Sequence, residues 1–313
     1  MRLLHLPPMT ARMGHMKLLL AAVMAPIILL GGAILLFSPL RVFSALVPVD
    51  SGIEIVARDV AYGTDARQKL DIYRPAGSHE NLPLLVFAYG GGWDSGERGF
   101  YEFAGRSFAQ AGYLTLVFDY RLLPDTRFPG FVDDTAAAIA WASRHAAEYG
   151  GDGTRVYLVG HSAGAYNMAM VALDKQFLVS HGLDQSLIAG VALLAGPYDF
   201  LPLDDPSTIG AFSHFADAAA TQPVNFVTGD APPILLIHGT ADKTVWPRNS
   251  KALAARMQAA GVAHRLIEYD GLGHAGVLLA VSRPMRWRAP VLDDILAFFA
   301  ALQATVQAAG KRS

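Results

Sequence analysis

Val156-Tyr157-Leu158-Val159-Gly160-His161-Ser162-Ala163-Gly164 is the stretch on which the reading of this chain turns. Its first four residues are a continuous apolar run, the pattern of a strand covered on both faces. A helical pattern opens at Ala163 and continues to residue 173. Between them, Gly160-His161-Ser162-Ala163-Gly164 has the form G-x-S-x-G. A strand that turns at once into a helix leaves the central serine in a strained backbone conformation. Side chains two positions to either side would meet neighbouring backbone, so glycine is needed at both. The amino terminus of the following helix favours negative charge developing beside Ser162. By itself the pentapeptide also fits a plain glycine-rich turn. Its place between a strand and a helix makes Ser162 a candidate nucleophile.

Working outward, short apolar runs bounded by Gly, Pro or Asp recur at residues 84–89, 114–118, 191–194, 234–237 and 266–269. Two earlier strands are expected at 53–61 and 68–73, joined by a Gly-Thr-Asp turn. Helical stretches at 134–148, 163–173, 249–260 and 291–308 fall between or after the later runs. This alternation predicts an α/β fold with a mostly parallel, doubly wound sheet and chemistry at the carboxyl ends of its strands. Residues 201–233 break the alternation, and a short lid insertion is expected at about 201–231.

A serine hydroxyl needs a base, and the base needs a group to orient it. In the order that accompanies this elbow, an acid and then a histidine follow the serine. Asp242 lies just past the run ILLIHG, and His274 sits in GLGHAG beyond the run ending at Tyr269. The glycines around His274 suggest a loop that carries the imidazole to Ser162. Asp199 in GPYDF is the competing acid, and Asp270 a weaker one. His161, the variable residue of the elbow, is expected to point away from the base position. His238 ends a strand and reads as a hydrogen-bonded structural histidine. His79, His145, His181, His214 and His264 are assigned to solvated faces or loops.

Tyr89-Gly90-Gly91-Gly92-Trp93 follows the strand at 84–89. Successive glycines let backbone N–H groups approach a substrate oxygen. Gly91 and Gly92, with Ala163 after the serine, are the expected oxyanion donors. A dinucleotide fingerprint would need G-x-G-x-x-G opening a helix, and a phosphate loop would need G-x-x-x-x-G-K-[ST]; the sequence has neither. No closely spaced histidines suggest a metal, so no metal or other cofactor is expected.

Composition narrows the chemistry further. The 313 residues carry 25 Lys+Arg against 27 Asp+Glu, a net charge of −2, which is too balanced for a general nucleic-acid binder. The chain has no cysteine, so thiol nucleophiles, disulfides and zinc-thiolate sites are excluded. Residues 18–37, LLLAAVMAPIILLGGAILLF, form an uncharged apolar stretch preceded by Arg2, Arg12 and Lys17. As a helix of about 30 Å it matches a bilayer core, and the preceding charges favour an amino terminus left in the cytoplasm. An uncleaved signal anchor fits its length better than a cleaved signal peptide or a buried core helix. Residues 1–45 are therefore read as a signal or anchor segment and 46–313 as the catalytic domain, facing the periplasm or the cell exterior. Met16-Lys17 also resembles a natural start.

Together these motifs resemble the α/β-hydrolase superfamily, in its esterase/lipase branch with an HGGG-type oxyanion loop. The sequence is similar to hormone-sensitive-lipase-like, BD-FAE-like and kynurenine-formamidase-like hydrolases. The likeness extends to Gly92-Trp93 with Ser95-Gly96, and to Asp119-Tyr120-Arg121-Leu122 with Arg127-Phe128-Pro129 and Asp134. It also includes Gly196-Pro197-Tyr198-Asp199, and Pro232-Pro233 before ILLIHGTAD. It covers roughly residues 59–299. Tyr89 stands where HGGG enzymes carry His; cholinesterase-like members also have Tyr there. The resemblance implies nucleophile, acid and base at Ser162, Asp242 and His274, and oxyanion donors at Gly91, Gly92 and Ala163. The implied activity is hydrolysis of neutral, short-to-medium acyl esters; an amidase, arylformamidase or peptidase would use the same groups. A catalytically inactive module on a membrane is the alternative from another class. Trp93, Tyr198, Phe212 and Trp246 are candidates for a substrate pocket, while Arg121 and Arg127 are read as structural ion-pair partners.

Overall fold

Eight strands form one sheet: β1 (Ile53–Ala61), β2 (Lys69–Pro75), β3 (Leu82–Ala88), β4 (Leu114–Phe118), β5 (Gly151–His161), β6 (Ile188–Leu194), β7 (Ile234–Gly239) and β8 (His264–Tyr269). Their order is β1-β2-β4-β3-β5-β6-β7-β8. β2 is antiparallel to both β1 and β4, and every later pair across the sheet is parallel. The computed structural model describes residues 38–48, 52–77 and 79–310. They fall in two units, Met1–Leu46 and Val47–Ser313. In the first unit, Pro39–Leu46 is a helix. The apolar stretch at 18–37, and with it the anchor reading, lies outside the described residues. Among the described residues no helix is long and apolar enough to cross a membrane.

The parallel strands are apolar because both their faces are covered. Val156, Leu158 and Val159 of β5 have no exposed surface. The helix Ala163–Leu173 is buried along its whole length. On the far strand face, Tyr157 packs against Phe299 of the helix Val291–Gly310, ring centroids 4.6 Å apart. Arg121 forms a structural ion pair, with its guanidinium 2.7 Å from the fully buried Asp134 carboxylate.

The helix Glu102–Gln110 lies between β3 and β4. Gly105 is there because a Cβ would press into the Tyr73 ring at 2.7 Å. His274 is not carried on a loop. It is the first residue of the short helix His274–Leu279, which starts straight after the Gly-Leu-Gly turn. The segment expected as a lid is partly ordered into the helix Pro206–Phe212, capped by Asp205 accepting from the Ser207 N–H at 2.9 Å.

The topology fixes where chemistry can occur. β3 lies between β4 and β5, so the winding direction reverses between β3 and β5. Open α/β sheets bind ligands at the carboxyl ends of strands flanking such a switch. The loop after β3 is Tyr89-Gly90-Gly91-Gly92-Trp93, and the turn after β5 is centred on Ser162.

Candidate active site

Ser162 has φ +54° and ψ −124°, a left-handed conformation that side chains other than glycine seldom adopt. Such strain, of about 1–3 kcal/mol, persists only where the surroundings impose it. Here the Ser162 N–H donates to the Leu194 carbonyl at 2.9 Å, and the Ser162 carbonyl accepts from the Tyr166 N–H at 3.1 Å. Behind the elbow, a Cβ on Gly164 would collide with the carbonyl oxygens of Ala88 and Tyr89. The second glycine of the pentapeptide is therefore dictated by how closely the helix start approaches the end of β3.

Ser162, His274 and Asp242 form one hydrogen-bonded chain. The Ser162 hydroxyl lies 2.9 Å from His274 Nε2, and His274 Nδ1 lies 2.8 Å from Asp242 Oδ2. A carboxylate only accepts, so Nδ1 carries the proton and Nε2 is left to accept from the serine hydroxyl. The other oxygen, Oδ1, accepts from the N–H groups of Thr244 at 2.9 Å and Val245 at 3.0 Å. Burial alone would push the Asp242 carboxyl up. The hydrogen bonds from His238 and His274 outweigh it and hold the group well below the usual carboxylate range. The competing acids lie elsewhere. Asp199 is exposed, and Asp270 accepts from the Thr240 hydroxyl at 2.9 Å.

The turns leading into Asp242 and His274 are tied together. Thr240 N–H donates to the Tyr269 carbonyl at 3.0 Å and Ala241 N–H to the Leu272 carbonyl at 3.0 Å. Gly271 N–H donates to the Thr240 hydroxyl oxygen at 2.9 Å.

His238 does more than the sequence suggested. It is fully buried, and its Nε2 lies 3.2 Å from Asp242 Oδ2 and 2.8 Å from the Val245 carbonyl. Ser250 donates its hydroxyl to Nδ1 at 2.7 Å. His238 is thus a second imidazole on the Asp242 carboxylate. The four-residue spacing His238…Asp242 past a strand end is the sequence signal for it.

His161 also differs from expectation. It does not point away from the base: its Nε2–H donates to the His274 carbonyl at 3.2 Å, and the two rings are 4.9 Å apart. The register of β5 places this side chain under the turn that starts the His274 helix. Its Nδ1 is buried without a hydrogen-bond partner. Burial, and then the neighbouring His274, push the His161 imidazole down to about 3. An unfolded histidine titrates near 6.5. Between those values the unfolded chain takes up a proton that the folded chain does not, so stability falls as pH falls. From pH 7 to pH 4 the wild type should lose on the order of 2–3 kcal/mol more than His161→Gln. Urea unfolding at both pH values measures this; equal losses for the two proteins would refute it.

The glycine loop is anchored by its carbonyls. The buried Tyr101 hydroxyl donates to the Gly90 carbonyl at 2.9 Å, and Tyr120 donates to the Tyr89 carbonyl at 2.9 Å. The Gly91 carbonyl accepts from the Ser95 N–H at 3.0 Å and the Ser95 hydroxyl at 2.9 Å. In a trans peptide the C=O and N–H point in opposite directions. The Gly91 and Gly92 N–H groups therefore face away from these anchors. Tyr89, in the place of a histidine, stacks between Tyr101 and Tyr120 at 5.2 and 4.8 Å and accepts from Arg67 at 2.8 Å.

A cleft of about 390 Å³ opens over Ser162. Gly92 and Ala163 line it; Gly91 does not. Trp93 and Trp246 line it too, whereas Tyr198 and Phe212, expected in the same pocket, are buried in the core at 0% and 1% exposure. Aromatic content did not reveal which face each ring presents. Phe212 packs edge-on against Trp93 at 4.8 Å, and the Tyr198 N–H donates to Asn249 Oδ1 at 2.9 Å. Phe200 completes the apolar floor, while Asp204, Asp205 and Arg248 make a polar rim.

The family model BD-FAE matches residues 70–257, a span that holds Ser162, Asp242 and the glycine loop. The chain belongs to the BD-FAE family. His274 lies beyond the matched span. Among curated proteins, the chain is 31% identical over 268 residues to a probable isoprenylcysteine alpha-carbonyl methylesterase, ICMEL1, of Oryza sativa subsp. japonica, covering 77% of this chain and 62% of that protein. It is 31% identical over 248 residues to Esterase LipC of Mycobacterium tuberculosis, covering 72% of this chain and 61% of LipC. The chain thus spans about three-fifths of the length of these relatives. Among solved structures, Esterase B from Lactobacillus rhamnosis superposes with a TM-score of 0.77 at 24% identity, over 94% of this chain and 100% of that one. That likeness is one of fold.

Proposed function

We propose that this protein is a serine hydrolase that cleaves neutral carboxylic esters through an acyl-enzyme. The observation that carries the reading is the continuous hydrogen-bonded chain from the strained Ser162 hydroxyl through His274 to Asp242. His274 Nε2 takes the hydroxyl proton as Ser162 Oγ attacks the ester carbonyl. Negative charge moves to the carbonyl oxygen, facing the Gly92 and Ala163 N–H groups, with Gly91 as a further donor. His274 then gives the proton to the departing alcohol, and a water repeats the sequence to release the acid. Asp242 holds the imidazole tautomer and stabilises the imidazolium. The esterase names of the relatives support the same reading. The polar rim, with two carboxylates beside one guanidinium, disfavours strongly anionic substrates. The apolar segment at 18–37 is proposed, from sequence alone, to tether the enzyme or direct its export.

The test is turnover by purified protein of p-nitrophenyl esters, N-formylkynurenine and a peptide amide side by side. The esters should be cleaved with the highest kcat/KM, and a fluorophosphonate probe should label Ser162. Preference for N-formylkynurenine or the peptide would shift the assignment to an amidase. No labelling and no turnover would leave an inactive module.

A further inference from the structure

We infer that His238 is a positioning residue for the reaction, holding the Asp242 carboxylate so that Oδ2 stays aimed at His274. This rests on the ester-hydrolase reading above and deepens it. His238 Nε2 lies 2.8 Å from the Val245 carbonyl oxygen and 3.2 Å from Asp242 Oδ2. A carbonyl and a carboxylate only accept, so Nε2 carries a proton and shares it between them. Nδ1 then accepts from the Ser250 hydroxyl at 2.7 Å, and a neutral ring satisfies all three contacts. The side chain is fully buried. Its main chain belongs to β7, in register with Glu268 of β8, and Ser250 stands on the helix Arg248–Ala259. Sheet and helix together therefore fix where this imidazole points.

Asp242, by contrast, lies on the turn past the end of β7. Its carboxylate meets donors on both oxygens: the Thr244 and Val245 N–H groups at Oδ1, and His274 Nδ1 and His238 Nε2 at Oδ2. A carboxylate offers about four lone-pair sites, so all are in use. Val245 closes the arrangement, because its N–H donates to Asp242 while its carbonyl accepts from His238. The turn that carries the acid is thereby fastened to an imidazole on a buried strand. Burial pushes the Asp242 carboxyl up, and the His238 hydrogen bond stands first among those that hold it down. The reaction needs Oδ2 on His274 Nδ1 both while that imidazole is neutral and after it has taken the serine proton. The His274 contact changes in charge at each turnover. His238 takes no proton, and so gives Oδ2 a donor that stays the same throughout. His238 does not line the cleft, so it reaches the reaction only through Asp242 and His274.

The experiment compares kcat and KM for p-nitrophenyl acetate, and the rate of fluorophosphonate labelling, in the full-length wild type, His238→Leu, His238→Met and His238→Gln. Near-ultraviolet circular dichroism establishes that each is folded. Leucine and methionine fill the space without a donor, and methionine is the more adaptable should leucine not fold. Glutamine places an N–H donor at a similar reach. A folded apolar variant should lose about 10–100-fold in kcat, as when other groups that orient a reacting side chain from behind are removed, with KM changed by less than about threefold. Labelling of Ser162 should slow in parallel. The glutamine variant should recover at least about fivefold in kcat over the apolar ones, which a merely space-filling residue would not show. Wild-type kcat in a folded apolar variant, a loss that glutamine does not relieve, or a rise in KM with kcat unchanged overturns the inference and leaves the esterase reading intact. So does failure of both apolar variants to fold, since the imidazole then serves folding. A wild type that neither cleaves the ester nor takes the fluorophosphonate overturns both.

Discussion

Ser162→Ala should lower kcat/KM for p-nitrophenyl acetate by at least about 10⁴-fold while leaving the unfolding transition nearly unchanged. The serine contributes one oxygen, and that oxygen makes its hydrogen bond to His274, not to the scaffold. The elbow is held by main-chain groups instead: the Ser162 N–H on Leu194 and its carbonyl under Tyr166. Alanine at φ +54° bears much the same backbone strain as serine, so the turn should survive. What remains is a cleft with oxyanion donors and no nucleophile, which retains some advantage over water but forms no acyl-enzyme. Steady-state kinetics and loss of fluorophosphonate labelling measure it. Near-wild-type turnover by the pure variant would remove Ser162 from the reaction.

Asp242→Asn is expected to cost about 10⁴-fold in kcat, although the two side chains are nearly the same shape. Every group around this carboxylate is a donor. Thr244 and Val245 N–H groups point at Oδ1, and His274 and His238 ring nitrogens lie at Oδ2. Asparagine has one acceptor oxygen, and the two main-chain donors will claim it. The amide NH₂ then faces His274 Nδ1, which must give up its proton and accept. The proton moves to Nε2, the atom that has to receive the hydroxyl proton from Ser162. The variant should therefore fold, bind substrate and fail at the chemical step, with kcat falling and KM little changed. A loss under about tenfold would show that another carboxylate orients His274. Asp199 and Asp270 are poorly placed for that, because both are solvent-exposed.

What the sequence revealed was mainly what local sterics dictate. The strand at 53–61, the apolar run at 114–118 and the helix at 163–173 have the ends the structure gives them, with a glycine or an aspartate at or close to most boundaries. The three residues set apart as nucleophile, acid and base stand in one hydrogen-bonded chain because each follows a strand that ends at the same edge of the sheet. Contacts between distant segments were not legible. The helix Glu102–Gln110 drew no expectation, and its Gly105 is fitted to the Tyr73 ring lying against it. His161 reads as a bystander until the His274 carbonyl is found above it. The tyrosine hydroxyls that hold the glycine loop come from positions 101 and 120, and no spacing rule links them to Gly90 or Tyr89. Tyr198 and Phe212 had the right composition for a pocket, but sheet and helix geometry turn them inward.

The stitching between the Thr240 and Gly271 turns sorts the site into two groups of local main-chain contacts within the one sheet. One holds Asp242 and His274, the proposed acid and base, whose turns are joined by main-chain bonds as well as by their own side chains. The other holds Ser162 and the glycine loop, the proposed nucleophile and oxyanion donors, packed through Gly164 against the end of β3. Across the seam run the Ser162–His274 contact and the hydrogen bond from His161 to the His274 carbonyl. Asp242 and His274 thus share main-chain support of their own, and the contact that joins them to Ser162 is the one across which the proposed proton transfer runs.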